Sequence, residues 1–162
     1  MPRVTSSASR RRTTLPRGTR ERLRSTGLAP DGPVTRGTPL YRYLTLEYPA
    51  EAQWDGRYYR SFVHVILAAA LEHDHDRAAI ARCGTVGRAE RLFNVLAIHR
   101  ARKGWTSQDM QLLVEGLYRE RFKDRSLREH LVGTHPASIQ IGPAWLDGLL
   151  TRLREEYRIG RD

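Results

Sequence analysis

Residues 41–71 read YRYLTLEYPAEAQWDGRYYRSFVHVILAAAL, and this stretch decides the fold. Aromatic and β-branched residues alternate with others from Tyr41 to Leu46, which predicts a strand. Pro49 ends the strand because it has no N–H to donate to a neighbour. Asp55-Gly56 predicts the turn of a β-hairpin, since glycine adopts the positive φ that such turns require.

A buried helix is predicted directly after this hairpin. Ser61 is placed to cap its first turn. From Phe62 to Leu71 the only polar residue is His64, and a helix that is apolar on every side belongs in the core. A lone polar side chain there needs a partner. Two roles remain open for His64, a core histidine bonded to a backbone carbonyl or a residue that lines a ligand pocket.

Hydrophobic spacing and capping signals predict that the rest of the chain is helical. Thr106 gives the clearest cap, because its side chain can accept the Asp109 N–H, while Asp109 places its charge in the first turn. The predicted helices are 76–83 with Asp76 as its cap, 86–98, 106–122, a short helix capped by Ser126 and ended by Gly133, and a last helix starting at Pro143 with Leu146, Leu149, Leu150 and Leu153 inward. The fold class is therefore α+β, mostly helical, with a small N-terminal sheet.

Composition restricts the class of protein. The chain has 162 residues, which is the size of one domain with a tail. It contains no apolar run of the length that spans a membrane. Cys83 is the only cysteine, which excludes an intramolecular disulfide and favours a cytoplasmic location. We expect Cys83 to be a small core residue.

Most of the positive charge lies near the start of the chain. Residues 1–36 hold nine arginines against Glu21 and Asp31, so they carry +7 of the net +10. This composition predicts a disordered arm over residues 1–38 and a folded domain over residues 39–160. An arginine-rich arm is suited to binding nucleic acid through phosphates. A solvated tail, a misassigned start and a transit peptide are the alternatives.

The motifs, taken in order, resemble the NADAR family (NAD- and ADP-ribose-associated). The resemblance begins with Tyr48-Pro49, Trp54-Asp55-Gly56 and the Y-x-R-S-x-x-H pattern of residues 58–64. It continues through residues 87–92, 102–105, 110–122, 127–134 and 149–154, and covers most of the predicted domain. The resemblance implies a NADAR-like single domain and an activity that cleaves N-glycosidic bonds of ADP-ribose or of ribosylated riboflavin precursors.

This chain departs from the family at the positions that carry the chemistry. The family's acidic residue before the histidine falls at Val63, its asparagine at Leu46, and its glutamine and lysine at Leu67 and Ala70. Hydrolysis of a glycosidic bond needs a carboxylate, which valine does not supply. These replacements predict that position 63 lies in a filled apolar core, so that Val63→Glu would not fold.

Two hypotheses about the site therefore remain open. The first is an inactive or weakened member of the family that is retained for binding. The second is an active hydrolase with a relocated acid, Glu47 or Asp147, acting with His64. The resemblance implies that Tyr48, Arg60 and Trp105 contact an ADP-ribose-like nucleotide; no cofactor or metal is expected.

Two polar clusters have simpler interpretations. The run His73-Asp74-His75-Asp76 resembles a metal cluster in composition, but adjacent helical residues do not share a face, so we interpret it as a polar loop. Arg100, Arg102 and Lys103 precede Trp105, and are interpreted as a solvated loop rather than a diphosphate site. Trp105 itself either stacks on a ligand ring or packs on the following helix.

Overall fold

The computed structural model describes residues 32–160, and this part of the chain holds four short strands, one 3₁₀ helix and six α-helices. The strands are β1 (Val34–Thr35), β2 (Ala52–Trp54), β3 (Arg57–Tyr59) and β4 (Ile139–Gln140), and the 3₁₀ helix is Pro39–Leu44. The helices are α1 (Phe62–Ala69), α2 (Asp74–Ala81), α3 (Val86–Arg100), α4 (Ser107–Arg121), α5 (Arg125–Val132) and α6 (Ala144–Ile159).

The folded domain begins earlier than residue 39. β1 pairs in parallel with β4, with Val34 opposite Ile139 and Thr35 opposite Gln140. The side chain of Val34 is fully buried. Both β1 residues fall inside the segment that was predicted to be a disordered arm, so that boundary is placed too late. The rest of the predicted arm, residues 1–31, lies outside the described residues.

The predicted hairpin is confirmed. β2 and β3 pair antiparallel, with Trp54 opposite Arg57. The two turn residues, Asp55 and Gly56, have φ values of 51° and 71°. Positive φ at both central residues matches the right-handed twist of the strands, which explains why Asp-Gly stands here.

The strand predicted at Tyr41 to Leu46 is wrong, because Pro39–Leu44 form a 3₁₀ helix instead. Tyr43 and Leu44 are adjacent and both are buried, which a half-buried strand does not allow. Their carbonyl oxygens bond to side chains of α4: Arg121 Nη1 donates to Tyr43 at 2.8 Å, and the Tyr118 hydroxyl donates to Leu44. The backbone of this segment therefore has no need of a neighbouring strand.

One predicted cap is confirmed at the start of α4, and the caps predicted for α5 and α2 are wrong. Thr106 caps α4 as predicted, and the Asp109 carboxylate also accepts the Thr106 N–H, which completes a capping box. α5 is capped by Asp124 rather than by Ser126, since the Asp124 carboxylate accepts the Ser126 N–H at 2.9 Å. α2 begins two residues before Asp76, which lies inside the helix with its side chain buried.

α1 lies at the centre of the domain and packs against α2, α3 and α4, whereas α5 packs against α6. The four leucines predicted to face inward from α6 are all buried. α3 is less buried than its apolar spacing predicts: Ala89 is its one fully enclosed residue, and Val95 and Ile98 are 68% and 70% exposed. Within residues 32–160, the helices lack the length and apolarity that crossing a bilayer requires.

Candidate functional site

A serine and a histidine are paired at the start of α1. Ser61 and His64 are each 1% exposed, and Ser61 Oγ lies 2.8 Å from His64 Nδ1. Ser61 holds the predicted cap position, but its hydroxyl bonds the histidine and not the helix backbone. The hydroxyl of Ser61 is thus a partner of this core histidine that the sequence did not predict. His64 Nε2 is buried and has no hydrogen-bond partner among the described residues.

The environment of His64 keeps its ring neutral. Burial is the largest influence and lowers the pKa of His64 below its ordinary value. The charge of Arg60 acts in the same direction, while the nearby backbone of Cys83 and Thr85 opposes it. A neutral imidazole without a carboxylate partner holds and orients groups but does not supply a cation to a developing negative charge.

One side of α1 remains open to solvent. Val63, Leu67 and Ala70, called here the α1 stripe, are spaced by four and three residues and so lie on the same side of the helix. All three are half-buried. Val63 was predicted to lie in a filled core and is only half-buried, whereas the half-buried Leu67 packs against the hydrophobic core. The stripe spans about 10 Å along the helix axis.

The segment before the hairpin meets the N-terminal end of the stripe. The Val63 N–H donates to the carbonyl of Leu46 at 3.2 Å. Glu47 follows, but its carboxylate is exposed and forms an ion pair with Arg36. Between Glu47 and His64, the structure shows no hydrogen bond within residues 32–160. The predicted catalytic pair is therefore not assembled in this arrangement of side chains.

Trp105 is brought to the other end of the stripe. The Arg102 N–H donates to the carbonyl of Ala70 at 2.8 Å, which fixes the loop before α4 against the end of α1. Trp105 is half-buried, and the Arg102 guanidinium lies 5.6 Å from the centroid of its ring. Arg60 is exposed at the opposite end, next to α1, whereas Tyr48 is half-buried and packs against the hydrophobic core. The backbone thus brings the two predicted ligand residues near the stripe: Arg60 precedes α1, and the Trp105 N–H bonds the carbonyl of Arg102, whose own N–H bonds Ala70.

A buried arginine of α4, Arg121, packs against the first residue of α1, and the sequence analysis did not identify it. Arg121 is 4% exposed, and its guanidinium lies 3.6 Å from the centroid of the Phe62 ring. Burial lowers its pKa to about 10, against the opposing influence of Tyr118, Tyr48 and Tyr43. The sequence did indicate that Arg121 is buried, because this residue continues the inward-facing helical spacing of Val114, Leu117 and Tyr118 on α4.

Other polar residues that the sequence singled out have structural partners. The Asp147 carboxylate accepts the N–H groups of Ile141 and Gly142 at 2.9 and 3.0 Å. Asp76 accepts from Arg100 at 2.9 Å, which ties α2 to the end of α3. Cys83 is half-buried rather than enclosed. In the described part of the chain, no group of three or more histidine, cysteine or acidic residues is arranged to hold a metal ion.

A second buried histidine predicts how stability depends on pH. His130 is 9% exposed, with Nδ1 3.0 Å from the Tyr43 hydroxyl. Burial lowers the pKa of His130 to about 4, whereas an unfolded histidine titrates near 6.5. Between these two values the unfolded chain binds a proton that the folded chain does not. The free energy of unfolding therefore falls as the pH drops from about 6.5 to 4 and does not change on this account above that window.

We expect His130 to account for on the order of 2–3 kcal/mol of this loss at pH 4. Urea titrations at several pH values measure it. His130→Gln removes the titrating group, so its stability should fall less steeply with acid than that of the wild type. Parallel pH profiles for the two proteins would contradict the assignment, because carboxylates contribute equally to both.

A solved structure shares this fold. The NMR structure of the E. coli protein YbiA superposes with a TM-score of 0.67 at 20% sequence identity, over 83% of this chain and 89% of YbiA. The predicted NADAR-like fold, mostly helical with small sheets in a single domain, is therefore confirmed. No family model matches the sequence, and no curated protein matches it either. The likeness establishes the fold, and the roles of individual residues stay predictions.

Proposed function

We propose that this domain binds an ADP-ribose-like nucleotide along the α1 stripe without hydrolysing it. The observation that carries the proposal is the half-buried, apolar face formed by Val63, Leu67 and Ala70. The NADAR resemblance implies that family members carry an acid, a glutamine and a lysine at these three positions. The apolar residues of this chain do not supply the groups that hydrolysis of an N-glycosidic bond needs, while the α1 stripe stays partly accessible to a ligand.

The electrostatics of the site support binding over catalysis. Cleaving an N-glycosidic bond requires a carboxylate beside the developing positive charge of the sugar. Glu47 is paired with Arg36, and Asp147 holds two backbone N–H groups. His64 is neutral by burial. Arg60 and Trp105, which the backbone brings near the stripe, offer a cation and an aromatic face to the phosphate and ring portions of a nucleotide.

Two experiments on the same protein test binding and hydrolysis separately. We expect ADP-ribose to bind in a calorimetric titration, and we expect no release of ADP-ribose from ADP-ribosylated nucleobases or proteins over hours. Leu67→Trp should abolish binding by filling the stripe, whereas Ile159→Trp, at an exposed position near the end of α6, should bind as the wild type does. Equal binding by Leu67→Trp would contradict the proposed location.

A second candidate is a hydrolase that uses Glu47. One contact favours it, since the Leu46 carbonyl bonds the Val63 N–H and so keeps the neighbouring Glu47 near the start of α1. Release of ADP-ribose that disappears in Glu47→Ala, with the folding of the variant intact, would establish hydrolysis and refute the first candidate. Nucleic-acid binding through residues 1–36 also stays a prediction, as does a cytoplasmic location.

Val63→Glu tests whether the family's catalytic position is still an open site. Val63 is half-buried, and it lies in the first turn of α1, which has no acidic residue. A carboxylate there is favoured by the helix dipole and by the nearby Arg60. We now expect the variant to fold and to lose only a few degrees in a thermal melt at pH 7, contrary to the expectation from the sequence.

Val65→Glu is the matched control on the same helix. Val65 is fully buried, so a carboxylate there is an unpaired charge in the core and the variant should not fold. If Val63→Glu fails to fold in the same way, the α1 stripe does not offer a solvated site and the proposed binding function is wrong.

A further inference from the structure

A cleft separates the first turns of α4 from the first turns of α6. It has a volume of about 370 Å³, within the range of small-molecule sites. Its lining includes Gln108, Gln111 and Glu115 from α4, and Trp145, Gly148 and Arg152 from α6. It includes no residue of α1. The cleft is therefore distinct from the α1 stripe, and a ligand in the cleft does not depend on nucleotide binding at the stripe.

The charged groups of the cleft neutralise one another. The Glu115 carboxylate pairs with Arg152 at 2.6 Å and with Arg119 at 2.9 Å. Arg119 also pairs with Glu156 at 2.9 Å. These ion pairs join α4 to α6, so the two charged residues that line the cleft, Glu115 and Arg152, are compensated. An uncharged ligand fits such a site better than a phosphate or an amine.

The remaining walls present an aromatic face and two free amides. Trp145 is half-buried, and within residues 32–160 neither an aromatic ring nor a guanidinium stacks on it. Gln108 and Gln111 lie three residues apart on α4, so they share a face, and each carries an amide with donors and an acceptor. In the described part of the chain, neither amide has a hydrogen-bond partner. Both exposed amides thus remain available to a ligand.

Gly148 completes a slot beside the indole. A Cβ atom built at this position would meet nothing within 4 Å, so the helix surface is open there. An aromatic face, an open slot and amides that read donors and acceptors are the elements with which proteins bind nucleobases. We propose that this cleft is a second binding site, which takes a planar, uncharged heteroaromatic ring of the nucleobase class.

Such a ring has two sources, a free nucleoside or a base turned out from a single strand of nucleic acid. Full-length protein labelled with ¹⁵N is titrated with adenosine, guanosine, cytidine and uridine, with a short mixed-sequence single-stranded oligonucleotide, and with methyl glucoside as a non-planar control. The three tryptophans give three indole N–H signals, and loss of one in Trp145→Phe assigns the signal of Trp145.

We expect at least one nucleoside to shift the Trp145 indole signal and the glutamine side-chain amides saturably, with no shift for methyl glucoside. Trp145→Ala should weaken binding roughly five-fold or more, as loss of a stacked base does. Gly148→Leu should abolish it by filling the slot, although glycine replacement favours the helix and should not lower the melting temperature.

Gly116→Leu is the matched control, because Gly116 is also inside a helix with open space around it but does not line the cleft. It should bind as the wild type does. An oligonucleotide that binds more tightly than nucleosides, and is lost in Gly148→Leu, identifies single-stranded nucleic acid as the source. The proposal is overturned if no base-containing probe shifts the Trp145 signal, if Gly148→Leu binds unchanged, or if methyl glucoside binds as well as the nucleosides.

Discussion

Replacing Arg121 with alanine is expected to lower the free energy of unfolding by about 3–4 kcal/mol. The side chain is 4% exposed, lies against the Phe62 ring, and donates to the carbonyl of Tyr43 at 2.8 Å. Truncation removes the stacking contact, opens a cavity between α1 and α4, and leaves a buried carbonyl without a donor. The same contact holds the 3₁₀ helix, so the segment that leads to Glu47 should loosen as well.

A thermal melt should show the midpoint of Arg121→Ala lowered by roughly 10 °C or more, given the size of the domain. Arg121→Met separates the two causes, because methionine keeps most of the volume but cannot donate. We expect Arg121→Met to lower the free energy of unfolding by less than half as much as Arg121→Ala does. Equal losses of stability in Arg121→Met and Arg121→Ala would mean that the hydrogen bond to Tyr43 dominates. An unchanged stability of Arg121→Ala would mean that Arg121 is not part of the packed core.

Leu150→Ala is expected to lower the free energy of unfolding by a similar amount, about 2–5 kcal/mol. Leu150 is fully buried on the inward face of α6. Removing its three outer carbons takes away apolar contacts and leaves a cavity that a close-packed interior refills only in part. Denaturant titration measures the loss as a lower midpoint with an unchanged slope.

Leu112→Ala provides the comparison for the same chemical change at the surface. Leu112 is 62% exposed on α4, so its truncation should alter the free energy of unfolding by less than about 0.5 kcal/mol. Equal losses for the two leucines would mean that α6 does not pack through the face that its leucines define.

Three elements that depend on neighbouring residues were predicted correctly, whereas the caps assigned to Ser61, Asp76 and Ser126 were not. The Asp55-Gly56 hairpin, the Thr106 cap and the inward leucines of α6 all arise from interactions within a few residues of the chain. Their physical causes are the positive φ of a two-residue turn, the free N–H groups of a helix start, and the helical repeat. None of these depends on what packs against the element from elsewhere.

Elements whose partners are distant in sequence were predicted poorly. Tyr41 to Leu46 has a strand-like composition, but donors on α4, more than 70 residues away, bond its carbonyls and allow a 3₁₀ helix. β1 lies in an arginine-rich context, and its pairing with β4 across about a hundred residues is not visible in its composition. Local propensity is a weak preference that such contacts override.

The sequence by itself determined the order of helices, the NADAR-like fold and the apolar character of α1 around its one histidine. Only the tertiary structure decided that Val63 faces partly into solvent while Val65 is enclosed, and that Glu47 pairs with Arg36. Apolar side chains on every face of α1 predict burial on every face. Which face is covered depends on where α2, α3 and α4 pack, and that arrangement is a property of the whole chain.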